Sequence, residues 1–224
     1  MIFKISLEQQ EELKNMPETG MGYQLVGAKF AGEYFSKEFI ALNSELLIEN
    51  DYLSKTNLRE IFAKGFNLSA RGAIIKSLKE IKLIDKRDSQ NLVKEGSNYK
   101  SSAKDNPVIY PDGNNYFVRL SAYDNDKRID KKNNCLLQGS YTTIKKDYEI
   151  CVKSNDKPIE RYALPNDEKI SWAFHIKPKT KDGYRFGTVQ PAFGKTGGGE
   201  ECFFENGTSF GTFNKQTTYG VFYP

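Results

Sequence analysis

The pattern of hydrophobic and polar positions changes several times along this chain. Ser6 and Gln9 have the spacing of a capping box, which predicts a short helix over residues 7–16. Two segments rich in aromatic and β-branched residues come next, GYQLVGAKF at 22–30 and EYFSKEFIALN at 33–43. This composition predicts two paired strands.

A helical period begins at Thr56. The segment TNLREIFAKGF predicts a helix that stops at Gly65, and Ser69 can cap a second helix with apolar residues on one side. Those apolar residues are Ile74, Leu78, Ile81, Leu83 and Ile84.

The second of these helices lies in LSARGAIIKSLKEIKLIDKRD, which resembles the second helix and the approach to the wing of a bacterial winged helix-turn-helix. In that family the helix contacts DNA through exposed Arg, Lys and Ser side chains, a role that Arg71, Lys76 and Lys79 would take here. The alternative is a helical pair that packs on the preceding strands or docks a partner protein. The near-neutral charge favours this alternative.

A polar stretch with few apolar residues divides the chain. It predicts an accessory winged-helix-like domain at 1–90, a linker at 91–107 and a β-rich domain at 108–224. The fold class expected from this order is α+β: a small helical, winged-helix-like region followed by a mostly antiparallel β domain.

The predicted strands of the second half lie in VIYPDGNNYFVRLSAY, which has a Pro-Asp-Gly turn between apolar runs, and in LLQGSYTTI and YEICVK. The segment ISWAFHIKPK alternates, with Trp172, Phe174 and Ile176 on one face and Ala173 and His175 on the other.

Composition bounds the function classes. The chain of 224 residues is 38% hydrophobic and 13% aromatic, which predicts a folded protein of one or two domains. A net charge of +4 does not favour nucleic acid as the main partner. The cysteines at 135, 151 and 202 form no CxxC pair and His175 is the only histidine, so we expect no metal site and a reducing compartment.

Targeting signals are also informative. The start MIFKISLEQQ lacks the apolar core of a signal peptide, and no apolar run approaches the length of a membrane span. We therefore expect a protein that is cytoplasmic, or delivered by a route that needs no signal peptide, and that has no membrane partner.

The stretch VQPAFGKTGGGEECFFENG differs from ordinary scaffold. It is not a phosphate-binding P-loop, because Val189 stands where that loop needs glycine and three glycines follow Thr196 in place of a helix. Glycines at 197–199 would allow backbone amides to approach a ligand closely. A glutamate on the following strand, Glu200 or Glu201, would then accept hydrogen bonds from a ribose and stabilise positive charge at its anomeric carbon. The alternative is a glycine-rich turn between two strands with a surface glutamate.

Several short motifs, taken in order, resemble the NAD glycohydrolase domain named after the tuberculosis necrotizing toxin. They are GSYTT at 139–143, ERYALP at 160–165, the strand ending in Ile-Lys-Pro at 176–178, and VQPAFGKTGGGEE at 189–201. The resemblance covers residues 108–224, and its last motif is the most specific. It implies a fold distantly similar to ADP-ribosyltransferases, with NAD or NADP as the substrate and no bound cofactor.

The resemblance also implies catalytic residues. Glu201 falls where the family has a glutamine and would stabilise the oxocarbenium-like transition state. Arg161 falls on the arginine of the Leu-Pro motif and would clamp a phosphate. His175, near a family histidine, would orient the ribose or shuttle a proton near its usual pKa of about 6.5. A second family arginine has no match here, and Arg119 or Arg128 could substitute for it.

The expected substrate contacts lie in three motifs, and the aromatic ones would stack on nicotinamide or adenine. They are Tyr141, Thr143, Gln190, Phe193, Gly197, Gly198 and Gly199.

The function expected from the sequence is therefore NAD(P) glycohydrolysis by a toxin or effector, for which the family implies an inhibitor protein as a partner. Three alternatives stay open: ADP-ribosyl transfer to a macromolecule, a winged-helix DNA-binding regulator with a β-rich effector domain, and a pure interaction protein.

Overall fold

The computed structural model describes residues 2–31, 37–49, 74–75, 78–84, 102–154, 157–165 and 169–222. These residues form a strand-dominated α+β fold with mostly antiparallel sheets, so the broad fold class is confirmed. The first predicted helix of the 56–84 region and most of the predicted linker lie outside the described residues.

The first half contains a six-stranded sheet in the order β5-β1-β4-β3-β2-β6. Its strands are β1 (Ile2–Lys4), β2 (Tyr23–Phe30), β3 (Lys37–Leu42), β4 (Leu46–Glu49), β5 (Ile74–Ile75) and β6 (Leu78–Leu83). The prediction of two paired strands is confirmed, because β2 and β3 are antiparallel neighbours.

Helix α1 (Leu7–Lys14) covers one face of this sheet and confirms the prediction of a capped helix. The hydroxyl of Ser6 accepts the N–H of Gln9, and the side chain of Gln9 accepts the N–H of Ser6. Leu13 on the inner face of α1 is fully buried in a cluster with Phe3 and Phe30. The capping box therefore accounts for where this helix begins, and Leu13 anchors it on the sheet.

The predicted second helix, over residues 69–84, is wrong where the structure describes it, because β5 and β6 are strands. Leu78 and Ile81 have helical spacing yet contact the same core cluster. The pairing of β6 with β2 shifts register between Lys29 and Phe30. An irregularity of this kind puts residues three apart on one side of a strand, which imitates the period of a helix.

The second half forms a seven-stranded sheet in the order β15-β12-β8-β11-β14-β13-β7, together with a small pair of strands, β9 and β10. The strands are β7 (Val108–Ile109), β8 (Phe117–Ser121), β9 (Ile129–Asp130), β10 (Cys135–Leu136), β11 (Ser140–Ile144), β12 (Trp172–Ile176), β13 (Tyr184–Thr188), β14 (Glu200–Phe204) and β15 (Phe213–Thr218). The alternation predicted for β12 is confirmed: Phe174 and Ile176 enter one core cluster and Ala173 enters the other.

Two helices accompany this sheet, α2 (Lys145–Lys153) and α3 (Pro158–Arg161). The strand predicted for YEICVK is wrong, because these residues belong to α2. Tyr148 and Cys151 are three residues apart, so a helix places both on its inner side, where they are 1% and 0% exposed. Burial of this pair favours the helix over the strand propensity of the individual residues.

Buried contacts join the two halves of the chain. The guanidinium of Arg128 donates to the carbonyls of Lys14 and Met16, and Pro17 lies against Gly139. The described part of the predicted linker, residues 102–107, includes a 3₁₀ helix (Ala103–Asp105) whose Ala103 is fully buried. It therefore packs onto the second sheet.

Candidate functional site

The glycine run at 197–199 docks against two other chain segments. Its three amides donate, in order, to the carbonyls of Glu160, Val189 and Arg161 at 2.9, 2.9 and 3.0 Å. This corrects the expectation that these amides face a ligand, because each one already has a partner within the chain. The glycines instead hold α3 and the end of β13 close to the start of β14.

Side chains at these positions would break the docking. A Cβ at Gly199 would come within 2.7 Å of the ring of Tyr162, and one at Gly197 within 2.6 Å of the carbonyl oxygen of Val189. Gly197 also has a φ of +66°, in the left-handed region that glycine favours. Close packing and backbone conformation thus both require the missing side chains.

The lysine of the neighbouring Gly-Lys-Thr also has a structural partner. Lys195 is buried, and its Nζ donates to the carbonyl oxygen of Leu164 at 2.6 Å. In this position it ties the glycine-rich loop to the segment after α3.

Glu201 is a buried carboxylate in β14. It is 8% exposed, and its Oε1 accepts the N–H of Ala103 at 3.0 Å. The 3₁₀ helix carrying Ala103 lies over Gly187, the cross-strand neighbour of Glu201, so closely that a Cβ at position 187 would overlap the backbone of Ala103. The carboxyl of Glu201 is therefore held inside the protein and covered by residues 102–106.

His175, Thr143 and Glu201 lie on one face of the sheet. Val118 of β8 is the cross-strand neighbour of both His175 and Thr143, and the pairing of β11 with β14 puts Thr143 next to Glu201. His175 and Glu201 are separated by three strand spacings, or about 14 Å. They share a face, but they are too far apart to act on one bond.

His175 is 4% exposed, and its Nε2 lies 2.9 Å from the hydroxyl of Thr217. Burial, with smaller contributions from Lys145 and Lys215, lowers its pKa to about 4. The imidazole is therefore neutral at pH 7, which corrects the expectation of a proton shuttle with a pKa near 6.5.

Asp147, in the first turn of α2, is a central residue that the sequence analysis missed. Its carboxylate is 2% exposed and accepts both Nε and Nη2 of Arg161, a bidentate ion pair. It also accepts the hydroxyl of Tyr162 at 2.8 Å, the N–H of Glu200 at 3.2 Å and the hydroxyl of Thr143 at 3.4 Å. One carboxylate thus connects α2, α3, β11 and β14.

Arg161 is the more exposed member of this pair, with a side chain that is 20% exposed. The hydrogen bond to Asp147 raises its pKa, so the guanidinium is charged at every physiological pH. Glu200, beside the same pair, is half-buried, and burial together with the charge of Asp147 raises its pKa. Arg161 and the start of β14 are therefore neighbours.

The two aromatic residues predicted to stack on the substrate are Tyr141 and Phe193, and each of them packs against another aromatic ring of the protein. Tyr141 is 2% exposed, and its ring centre lies 4.8 Å from that of Phe203. Burial, and then the charge of Glu201, raises the pKa of Tyr141 well above its usual range. Phe193 is half-buried with a φ of +54°, and its ring contacts Tyr23 of the other sheet edge-on at 5.2 Å.

Gln190, the last of the predicted contacts, is half-buried in the loop between β13 and the glycine run. Its carbonyl lies beside Gly197, where an added Cβ would come within 3.0 Å of the carbonyl oxygen. The predicted site residues thus fall into two places: Arg161, Thr143, Glu201 and the glycine run come together, while His175 and Phe193 lie at the margins.

The two arginines considered as substitutes for a missing phosphate ligand are both buried, Arg119 with a 1% and Arg128 with a 3% exposed side chain. Arg119 pairs with Glu18 and Asp126. In this arrangement both arginines serve the contact between the two halves of the chain.

Within the described ranges, no group of three or more His, Cys, Asp or Glu side chains is arranged to hold a metal ion. The described part of the chain also has no helix that is long and apolar enough to cross a membrane. Comparisons with known protein families, with curated proteins and with solved structures found no significant match.

Proposed function

We propose that this protein is an NAD(P) glycohydrolase that acts as a toxin or effector, with Glu201 as the acidic residue of its active site. The observation that carries the proposal is the placement of Glu201: a buried carboxylate two residues after the glycine run, beside Thr143 and near the Asp147–Arg161 pair. This arrangement agrees with the motifs that resemble the toxin domain.

The proposed chemistry needs a fixed negative charge close to the ribose. As the bond between nicotinamide and C1′ breaks, nicotinamide leaves with the bonding electron pair and positive charge develops on the sugar. The carboxylate of Glu201 would stabilise that charge, and water would then add to C1′ and release a proton. A carboxylate acts more strongly here than in water because its surroundings have a low dielectric constant.

The hydrogen bond from Ala103 supports this role. A carboxylate has about four acceptor sites, and the N–H of Ala103 occupies one of those on Oε1. This fixed backbone donor orients the group, so little reorganisation would be needed in the transition state.

The test is turnover of NAD by variants at one position. Glu201→Ala should lower kcat at least about 100-fold in a folded protein, the size of effect seen when one preorganised electrostatic group is removed. Glu201→Gln keeps the shape of the side chain and can still accept the N–H of Ala103, but it loses the negative charge, so it should lose nearly as much turnover as Glu201→Ala. Full activity in folded Glu201→Ala would exclude Glu201 from the mechanism.

A matched control is Glu205→Gln, which makes the same chemical change after the end of β14. Glu205 has a side chain that is 56% exposed and pairs with Arg185, so this variant should behave like the wild type. Loss of activity in the control would show that the assay reports general damage.

A second candidate function is ADP-ribosyl transfer to a macromolecule, and the observation that favours it is the carboxylate where the toxin family has an amide. The two functions differ in the fate of the product. Labelled ADP-ribose that stays free supports hydrolysis, and label attached to protein or nucleic acid supports transfer. For either reaction we propose that the producing cell makes an inhibitor protein.

A further inference from the structure

Asp147 accepts five hydrogen bonds, from donors on three different elements and the segment after α3. Buried carboxylates are costly unless they are paired and hydrogen-bonded, and this one is fully compensated. Its position in the first turn of α2 adds the favourable field of the helix N-terminus. The group is therefore held in one orientation.

The two members of the ion pair differ in exposure. The side chain of Asp147 is 2% exposed, whereas that of Arg161 is 20% exposed. Bidentate pairing through Nε and Nη2 fixes the plane of the guanidinium. Arg161 therefore lies at the border of the site with its orientation set from the inside.

The same carboxylate also fixes the start of β14. It accepts the N–H of Glu200, the residue that joins the glycine run to Glu201. The hydroxyl of Thr143, on the strand beside Glu201, points to Asp147 as well. Asp147 thus links the cationic part of the site to its acidic part.

We propose that Asp147 is a positioning residue: it holds Arg161 where the guanidinium binds the diphosphate of a dinucleotide. This inference rests on the proposed function, because it concerns the same site. The ligands that Arg161 would bind have one group in common, a diphosphate.

The experiment compares ligands that have or lack the diphosphate. In Asp147→Asn the amide keeps the shape of the side chain but loses the charge that pairs with Arg161. We expect the Kd for ADP-ribose and the KM for NAD to rise at least about tenfold, with kcat changed less than about threefold. For nicotinamide riboside, which has no phosphate, kcat/KM should stay within about twofold of the wild type.

Arg161→Lys is the second variant, so that the test does not depend on whether Asp147→Asn folds. Lysine keeps the charge but cannot pair in a bidentate way, so it should show the same loss confined to ligands with a diphosphate. Asp182→Asn is the matched control, because Asp182 is a buried aspartate whose partners are Lys179 of its own turn and Ser209, and neither of these contacts Asp147. Its constants should match those of the wild type.

The outcomes separate this inference from the glycohydrolase proposal. Equal losses with ADP-ribose and nicotinamide riboside, or no loss in either variant, would overturn the positioning role, and so would a wild-type protein that does not bind ADP-ribose. Binding of ADP-ribose that weakens in both variants, without NAD turnover by the wild type, would support the positioning role and reject the hydrolase.

Discussion

Glu18 and Arg119 are 101 residues apart in the chain and form a buried bidentate ion pair, with each guanidinium Nη 2.8 Å from a carboxylate oxygen. Glu18 also accepts the N–H of Tyr141, and Arg119 donates to the carbonyl of Tyr141. Glu18, from the first half of the chain, therefore hydrogen-bonds both to β11 and to Arg119 of β8. The second sheet is thus stabilised in part by Glu18, a residue outside that sheet.

We expect Glu18→Gln to lower the free energy of unfolding by about 3–5 kcal/mol, because it leaves the buried charge of Arg119 with one carboxylate partner fewer. Urea denaturation followed by circular dichroism measures this change. Glu45→Gln is the control, since Glu45 pairs with Lys127 at a more exposed position and should cost less than about 1 kcal/mol. A loss at Glu18 no larger than that of the control would contradict the importance of the pair.

Gly187→Ala should displace the 3₁₀ helix. The added methyl group would lie 2.7 Å from Cα of Ala103, and overpacking of this kind costs about 1–3 kcal/mol. Hydrogen exchange should show faster exchange of the Ala103 amide, which donates to Glu201 in the wild type. Because this N–H orients the carboxylate of Glu201, NAD turnover should also fall.

The control for this variant is Gly27→Ala, where the nearest atom to an added Cβ is 3.7 Å away on the side chain of Ile84. It should leave exchange at Ala103 and turnover unchanged. Unaltered exchange at Ala103 in Gly187→Ala would show that the 3₁₀ helix does not depend on this close contact.

His175 should make the stability depend on pH in the acidic range. Its pKa is about 4 in the folded protein and near 6.5 when unfolded, so below pH 6.5 the unfolded chain binds the proton more readily. The stabilisation is present above pH 6.5 and is lost as the pH falls towards 4, by up to about 3 kcal/mol.

Since His175 is the only histidine, its imidazole resonances can be followed without assignment, and their titration midpoint should lie near pH 4. Thermal melts between pH 4 and 7 should show a smaller slope in His175→Gln. A midpoint near 6.5 in the folded protein would contradict the buried, neutral state.

Local patterns predicted the elements whose stabilising contacts are close in the chain. The capping box at Ser6 and the alternation along residues 172–176 are examples. The errors came where distant pairing prevailed. Leu78 and Ile81 have the spacing of a helix because one extra residue of β6, Lys79, lies between the pairs Lys29–Glu80 and Phe30–Leu78, and this irregularity exists only when β6 pairs with the distant β2. The strand predicted at 148–153 became a helix because its inner face packs on a sheet formed elsewhere in the sequence.

The candidate site divides in the same way. The glycine run and the glutamates after it were recognisable, because their backbone and side-chain chemistry is unusual over a few residues. Asp147 was not, since the donors that make it important include residues 161, 162 and 200, and nothing near it in the chain marks them as neighbours.

By itself, then, the amino-acid order determined short-range features: where α1 begins, which strands alternate, and where the chain must lack side chains. Only the tertiary structure decided that Glu201 is covered by Ala103, that Arg161 pairs with Asp147, and that Glu18 reaches Arg119. The physical reason is that burial and charge pairing depend on which distant segments pack together, and no local period records that.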